Sequence, residues 1–296
     1  MTQVDFEHWL EMTIETVNAA LDQTLSEPLP PSRLLDAARY SVLHGGKRLR
    51  PALVYAAAQW AGASTAEATP AAVSVECLHA YSLIHDDLPA MDDDVLRRGQ
   101  PTTHIAFDEA TAILAGDALQ AVAFTVLAEH ADVHTDSALA QIRYLGEAVG
   151  FDGMALGQAI DLEVTGTQVE LQKLEAMHRK KTGALIIASV LMGASARTTL
   201  DQEAEQHLRR YADAVGLAFQ IQDDILDWTA TTAELGKHAG RDQLLEKPTF
   251  PALLGIEASR VRARALVADA KQALSLLSGD TMLLQQLADR AIERRS

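Results

Sequence analysis

The segment Asp86-Asp87-Leu88-Pro89-Ala90-Met91-Asp92-Asp93-Asp94 puts five carboxylates into nine positions, directly after the apolar run at 80–84. Like charges so confined raise one another's pKa and destabilise the chain unless a cation compensates, and a donor set of oxygen alone suits a hard ion such as Mg²⁺. In isolation the segment also fits a solvated acidic loop, and it lacks the D-x-[DN]-x-[DN]-G spacing of an EF-hand. Pro89 predicts a helix end near Leu88, which lets Asp86 and Asp92 turn toward one opening. A second acidic group, Gln220-Ile221-Gln222-Asp223-Asp224-Ile225-Leu226-Asp227, sets Asp223 and Asp227 one helical turn apart, with Gln220 on the same face. Phe219, Ile221, Ile225, Leu226 and Trp228 surround these acids, and a purely structural helix gains nothing from three Asp among such neighbours. Neither group has His or Cys in ligand spacing, so the pattern points to Mg²⁺ held through water and a substrate's phosphates rather than in an all-protein cage.

A phosphate substrate also needs cations, and His44-Gly45-Gly46-Lys47-Arg48-Leu49-Arg50-Pro51 supplies three beside two glycines. It is not a P-loop, because Ser41 stands where that motif needs Gly and Arg48 where it needs Ser or Thr. Lys47 and Arg50, three apart, are expected to reach one anion from one side of a helical turn. Arg97-Arg98 and Arg179-Lys180-Lys181-Thr182-Gly183 add two more basic points to an otherwise acidic chain.

The elements that position these groups read as helical. The nine prolines leave residues 102–247 without any, and Ala, Leu, Glu, Gln and Arg dominate where runs of alternating polarity are missing. Leu49, Leu53, Ala56 and Ala57, and again Leu185, Ile186, Ser189, Val190 and Gly193, recur at three- and four-residue intervals, as packed helix faces do. Turns are expected at 28–31 and over Gly62 to Pro70, and a loop-like flap over 229–251. No linker or fixed-period repeat divides the 296 residues, so one domain over 1–296 is expected. With 41 acidic against 25 basic residues, net charge −16, duplex nucleic acid is a poor partner. One Cys permits no internal disulfide and fits a reducing cytoplasm. The N-terminus has no apolar h-region, and the longest weakly polar run, 184–194, is far short of a bilayer span, so no stable membrane association is expected.

The ordered set HGGKRLRP at 44–51, HAYSLIHDDLPAMDDD at 79–94 followed by RRG, LAGDAL at 114–119, KKTGALI at 180–186, FQIQDDILD at 219–227 and LGK at 235–237 resembles the trans-isoprenyl diphosphate synthases, most closely the bacterial-type farnesyl diphosphate synthases. The resemblance covers most of the chain. It implies an all-α isoprenoid synthase bundle, about ten core helices around a central cavity with the two Asp motifs across its mouth, as a homodimer. It also implies three Mg²⁺ ions bound with the substrate diphosphate: Asp86 and Asp92, with Asp87 beside them, as metal ligands of the first motif, and Asp223 supported by Asp224 and Asp227 in the second. Arg97, Lys181 and Lys237 match contacts to the allylic diphosphate, and Thr182 and Gln220 match groups near the developing cation. Gly46, Lys47, Arg50, His79 and Arg98 match the pocket for isopentenyl diphosphate.

The implied chemistry is head-to-tail prenyl transfer, in which charge building on a departing diphosphate is stabilised electrostatically and no protein nucleophile is needed. Chain length then depends on cavity depth. Tyr81 lies five residues before Asp86, about 7.5 Å along a helix rising ~1.5 Å per residue, and its ring is expected to form the floor, with Ser82 beside it. That pattern resembles relatives stopping at fifteen carbons; geranyl or geranylgeranyl diphosphate are the alternative products. A cyclising terpene synthase is disfavoured by FQIQDDILD and HGGKRLRP, and a silent partner subunit or an acidic metal-binding scaffold by the intact motifs.

Overall fold

The computed structural model describes residues 3–26, 29–130, 135–230 and 247–293. Among the described residues lie fourteen α-helices and one two-stranded ribbon, so the fold is all-α, as the missing alternation predicts. The chain divides into two compact units, Met1–Ile142 with Met192–Thr199, and Arg143–Leu191 with Leu200–Ser296.

The first unit holds α1 (Gln3–Thr24), α2 (Arg33–Leu43), α3 (Leu49–Trp60), α4 (Thr65–Asp86), β1 (Leu96–Arg97), β2 (Gln100–Pro101), α5 (Thr103–Ala106), α6 (Glu109–His130) and the start of α7 (Thr135–Val149). Helix α4 is its centre and packs against α3 and α6. It begins with a capping box: Ser64 Oγ accepts from the Glu67 amide at 3.3 Å, and the Ser64 amide donates to Glu67 Oε2 at 2.7 Å. The turn expected up to Pro70 is therefore shorter, since Pro70 lies inside α4 and removes only the backbone bond to the Ala66 carbonyl. At the other end α4 stops at Asp86, before Pro89, as predicted. Leu53, Ala56 and Ala57 of α3 are buried, as their spacing requires.

Helix α6 is the most apolar long helix among the described residues. By length and composition it is the one described helix apolar enough to cross a membrane, its most apolar window having mean hydropathy 1.6 with a third of it buried, a test that a core helix of a soluble protein also passes. Glu109, Asp117 and Glu129, spaced through it, break the run that a scan for uninterrupted apolar residues seeks.

The second unit holds the rest of α7, α8 (Met154–Val164), α9 (Leu171–His178), a π-helical turn (Arg179–Gly183), most of α10 (Ala184–Ala194), α11 (Gln202–Thr229), α12 (Phe250–Leu254), α13 (Ile256–Leu274) and α14 (Met282–Glu293). Its spine is α11, capped by Asp201, whose Oδ1 accepts from the Ala204 amide at 2.8 Å, and packed against α13 and the π turn. Tyr211, fully buried on α11, satisfies its hydroxyl by donating to the Leu284 carbonyl at 2.7 Å. Leu185, Ile186, Ser189 and Val190 all face inward on α10.

Candidate active site

In the first unit the acidic segment folds back on the end of α4, where the Asp92 amide donates to the Asp86 carbonyl at 2.9 Å and the Asp94 amide to the Asp87 carbonyl at 3.2 Å. This sorts the five carboxylates. Asp87 and Asp94 are buried, Asp86 and Asp92 half-buried, and Asp93, with φ of 50°, exposed. The buried pair holds Arg97: its Nη2 donates to Asp87 Oδ1 at 2.5 Å and to Asp94 Oδ2 at 3.3 Å, and its Nε to Asp87 Oδ1 at 3.1 Å. Burial raises the Asp87 carboxyl to about 6 against the opposing pull of Arg97. Arg97 is aimed by a tight hairpin, β1 paired with β2, whose turn residues Arg98 and Gly99 both have positive φ (54° and 76°), as a two-residue I′ connection requires.

That turn sends Arg98 to the glycine-rich loop. Arg98 Nη1 donates to the Gly45 carbonyl at 2.7 Å, and its guanidinium lies where a Cβ on Gly46 would sit, 2.8 Å from Cζ. Gly46 and Arg98 are thus together, and Arg50 and Arg98 both bear on His79, whose pKa is held well below its ordinary range by burial and by these and two further arginines. Lys47 and Arg50 do not share a helical turn: α3 begins at Leu49, and Arg48 between them is left-handed, at φ 48°. Arg48 is buried, donating to Glu76 Oε1 at 2.5 Å, Asn18 Oδ1 at 2.9 Å and the Val42 carbonyl at 2.6 Å. Sequence reasoning passed over this anchor; its signal was a Glu inside the apolar stretch of α4. Tyr81 is half-buried against His85, and the Ser82 hydroxyl is spent on the His79 carbonyl at 2.8 Å.

In the second unit the acids sit within α11. Asp223 is half-buried, Asp224 and Asp227 buried. Asp224 accepts from Gln220 Nε2 at 2.9 Å and from the Phe250 amide at 3.0 Å, while Thr182 Oγ1 donates to Gln220 Oε1 at 3.0 Å. His178 lies 4.0 Å from Asp224 and stacks on Phe250, and burial lowers its pKa to about 3. Thr182 and Lys181 belong to the π turn, a distortion that commonly marks functional positions. Gly157 of α8 lets that turn approach, since a Cβ there would lie 2.1 Å from the Lys181 amide nitrogen. One turn on, Asp161 takes Lys181 Nζ at 2.6 Å and lies 3.8 Å from Lys247 Nζ. Burial opposes its charge, yet the two lysines hold Asp161 below the usual carboxylate range. Asp161, Lys247 and His178 were missed, although Asp161 is an acid in an apolar helix, the same signal that exposed Asp223. Lys237 and most of the 229–251 flap lie outside the described residues.

The donor set fits Mg²⁺. Both stations offer carboxylate oxygen, the hard ligand that this ion prefers.

An all-α framework with two carboxylate stations, one beside Arg97 and one near Lys181, holds the groups that an Mg²⁺-dependent enzyme acting on a phosphorylated substrate needs. The polyprenyl synthetase family model matches residues 31–276, and the chain belongs to that family. It is 50% identical to the farnesyl diphosphate synthase of Escherichia coli (strain K12) over 298 residues, 98% of this chain and 99% of the relative. To the farnesyl diphosphate synthase of Haemophilus influenzae it is 50% identical over 265 residues, covering 89% of each. The crystal structure of geranyltransferase from Helicobacter pylori complexed with magnesium and isoprenyl diphosphate superposes with a TM-score of 0.85 at 35% identity, covering 96% of this chain and 95% of that one.

Proposed function

We propose that the protein is a trans-prenyltransferase that joins isopentenyl diphosphate to dimethylallyl and then geranyl diphosphate, giving (2E,6E)-farnesyl diphosphate. The observation that carries this reading is that each acidic station is built beside a cation the fold holds in place: Arg97 on Asp87 and Asp94, and Lys181 on Asp161. Asp86, Asp92 and Asp223 are the carboxylates left most accessible in the two motifs apart from Asp93, and they are the proposed holders of three Mg²⁺ ions, with Asp87, Asp224 and Asp227 fixing the surroundings. Bound Mg²⁺ supplies Lewis-acid stabilisation of the diphosphate leaving group.

Arg97, Lys181 and Lys237 bind the allylic diphosphate oxygens and stabilise the charge they gain as the C–O bond breaks and its electron pair leaves with diphosphate. Gly46, Lys47, Arg50, His79 and Arg98 hold isopentenyl diphosphate so that its double bond attacks the allylic carbon. A depressed pKa keeps His79 neutral, so it donates one hydrogen bond without adding to the charge of the arginines. Thr182 directs its proton to Gln220, which leaves hydroxyl lone pairs free to face positive carbon. The proton lost from the condensed product passes to the released diphosphate, since no His or Glu of the motifs takes a basic role.

The whole chain, 1–296, acts as one functional domain in the cytoplasm. A homodimer is proposed because Ile105, Ile113, Leu114 and Leu139 of the first unit are exposed at 52, 43, 56 and 59%, an apolar surface a partner copy would cover. The test is chromatography of products after incubation with Mg²⁺, isopentenyl diphosphate and each of the C5, C10 and C15 allylic diphosphates. Farnesyl diphosphate from the C5 and C10 substrates, with little extension of the C15 one, is expected; absence of any prenyl transfer would overturn the reading.

A further inference from the structure

The LAGDAL segment of α6 has no part in the chemistry above, yet its glycine is one of the tightest points in the first unit. A Cβ built on Gly116 would lie 2.2 Å from Nε2 and 2.6 Å from Cδ2 of His85. The ring of His85, in the last turn of α4, fills the space that the missing Cβ leaves. Its Nε2 is 3.1 Å from the Ile113 carbonyl and 4.0 Å from Asp117 Oδ1, both on α6. The slot thus has a floor without a side chain and a polar anchor on one ring nitrogen. A ring held on one edge presents a fixed surface on the other, and that surface meets Tyr81, one turn earlier on α4: the centroids are 5.4 Å apart and the planes cross at 89°. This is the edge-to-face geometry aromatic pairs prefer.

We propose that His85 is a positioning residue for product length: lodged in the Gly116 slot, it holds the Tyr81 ring in one rotamer. The inference rests on the reading of Tyr81 as the floor of the prenyl cavity. An aromatic side chain has few staggered alternatives, so a contact of this kind shifts its rotamer populations about threefold to tenfold. Removing the His85 ring vacates volume beside Tyr81, which then leaves the floor position part of the time and admits another isoprene unit. His85 neither contacts the developing cation nor sets the rate of ionisation in this scheme.

The experiment measures the ratio of C20 to C15 product from geranyl and isopentenyl diphosphates at matched conversion, with thermal melts alongside. His85→Ala should raise the ratio about threefold to tenfold, Tyr81→Ala should raise it further, and the double variant should match Tyr81→Ala alone, because His85 acts only through that ring. If His85→Ala fails to fold, His85→Leu fills the space without ring edge or hydrogen bond and carries the same expectation. Unchanged ratios in the folded His85 variants while Tyr81→Ala lengthens the product would overturn the latch and leave the floor intact. A double variant that exceeds Tyr81→Ala would also overturn it, by showing an independent effect. Unchanged length in folded Tyr81→Ala would remove the floor reading and the latch together.

Discussion

The two acidic stations solve the same electrostatic problem by different means. After α4 the carboxylates lie in a folded-back loop, and the compensation comes from a side chain, Arg97, aimed by a short hairpin. In α11 the carboxylates lie in a regular helix, where Asp224 is held by neutral donors, the Phe250 amide and Gln220, and the fixed cation nearby, Lys181, is paired with Asp161 of α8. A guanidinium bridges two acids and cancels one of their two charges, whereas amide donors fix geometry without changing net charge. In both, the framework takes up buried acids, Asp87 and Asp94 with Arg97 and Asp224 with the Phe250 amide, while Asp86, Asp92 and Asp223 are the half-buried ones.

The largest effects should come from splitting those two kinds of acid. Asp86→Ala and Asp223→Ala should each lower turnover by at least about 10²-fold at saturating Mg²⁺, with melting temperature unchanged or slightly raised, because each removes ligand oxygen from a crowded site. Asp224→Ala should instead also destabilise, by about 1 to 3 kcal/mol, since it orphans the buried Phe250 amide. Steady-state rates and urea midpoints on the same preparations check both; wild-type turnover in either of the first two would refute the assignment of these acids to catalysis.

The next effect is in pH dependence, where the stations carry opposite signs. Asp87 is raised from an ordinary value of 3.8 to about 6 by burial, so its contribution to stability is complete below the unfolded value and is lost as pH rises through 6. His178 is lowered from 6.5 to about 3, so its contribution is complete above 6.5 and is lost as pH falls toward 3. Between these limits the two slopes oppose, each at most about 1.4 kcal/mol per pH unit. Asp87→Asn should therefore make stability climb more steeply from pH 4 to 6, and His178→Phe should make it climb less or fall. Urea midpoints across that range decide, and identical slopes in all three proteins would remove the distinction.

What the sequence made legible follows the same division. Acids in an apolar helix and acids before a proline are visible as spacing, so both stations and the end of α4 could be read from the chain. Partners brought from elsewhere could not: the Asp161 pairing with Lys181 depends on Gly157 letting α8 approach a π turn, and a π turn has no period of its own in the sequence. Lys47 and Arg50 read as helix neighbours because nothing in HGGKRLRP announces that Arg48 is buried against Glu76 and takes the left-handed conformation. Pro70 read as a stop, but the Ser64–Glu67 cap and the buried Ala68, Ala71 and Ala72 hold the helix through it.

The smallest effect tests whether the second station is fixed by a relay that the first lacks. Thr182 donates to Gln220 at 3.0 Å, and Gln220 passes its own donor to Asp224 at 2.9 Å. Thr182→Val keeps the volume and removes the first donor, leaving Gln220 Oε1 without it. Gln220 is half-buried, so water can partly replace the bond, and the cost should be about 0.5 to 1.5 kcal/mol, a few degrees in melting temperature. The matching change before the first station, Ser82→Ala, removes a hydroxyl that serves only the His79 carbonyl of its own helix and should move stability by less than about 0.5 kcal/mol. If the relay matters for aligning Asp224, Thr182→Val should also raise the Mg²⁺ concentration needed for half-maximal rate, which Ser82→Ala should leave alone. Equal melting shifts and equal Mg²⁺ dependence in the two variants would mean that α11 holds its acids by helix geometry alone and that the Thr182–Gln220 bond is incidental to it.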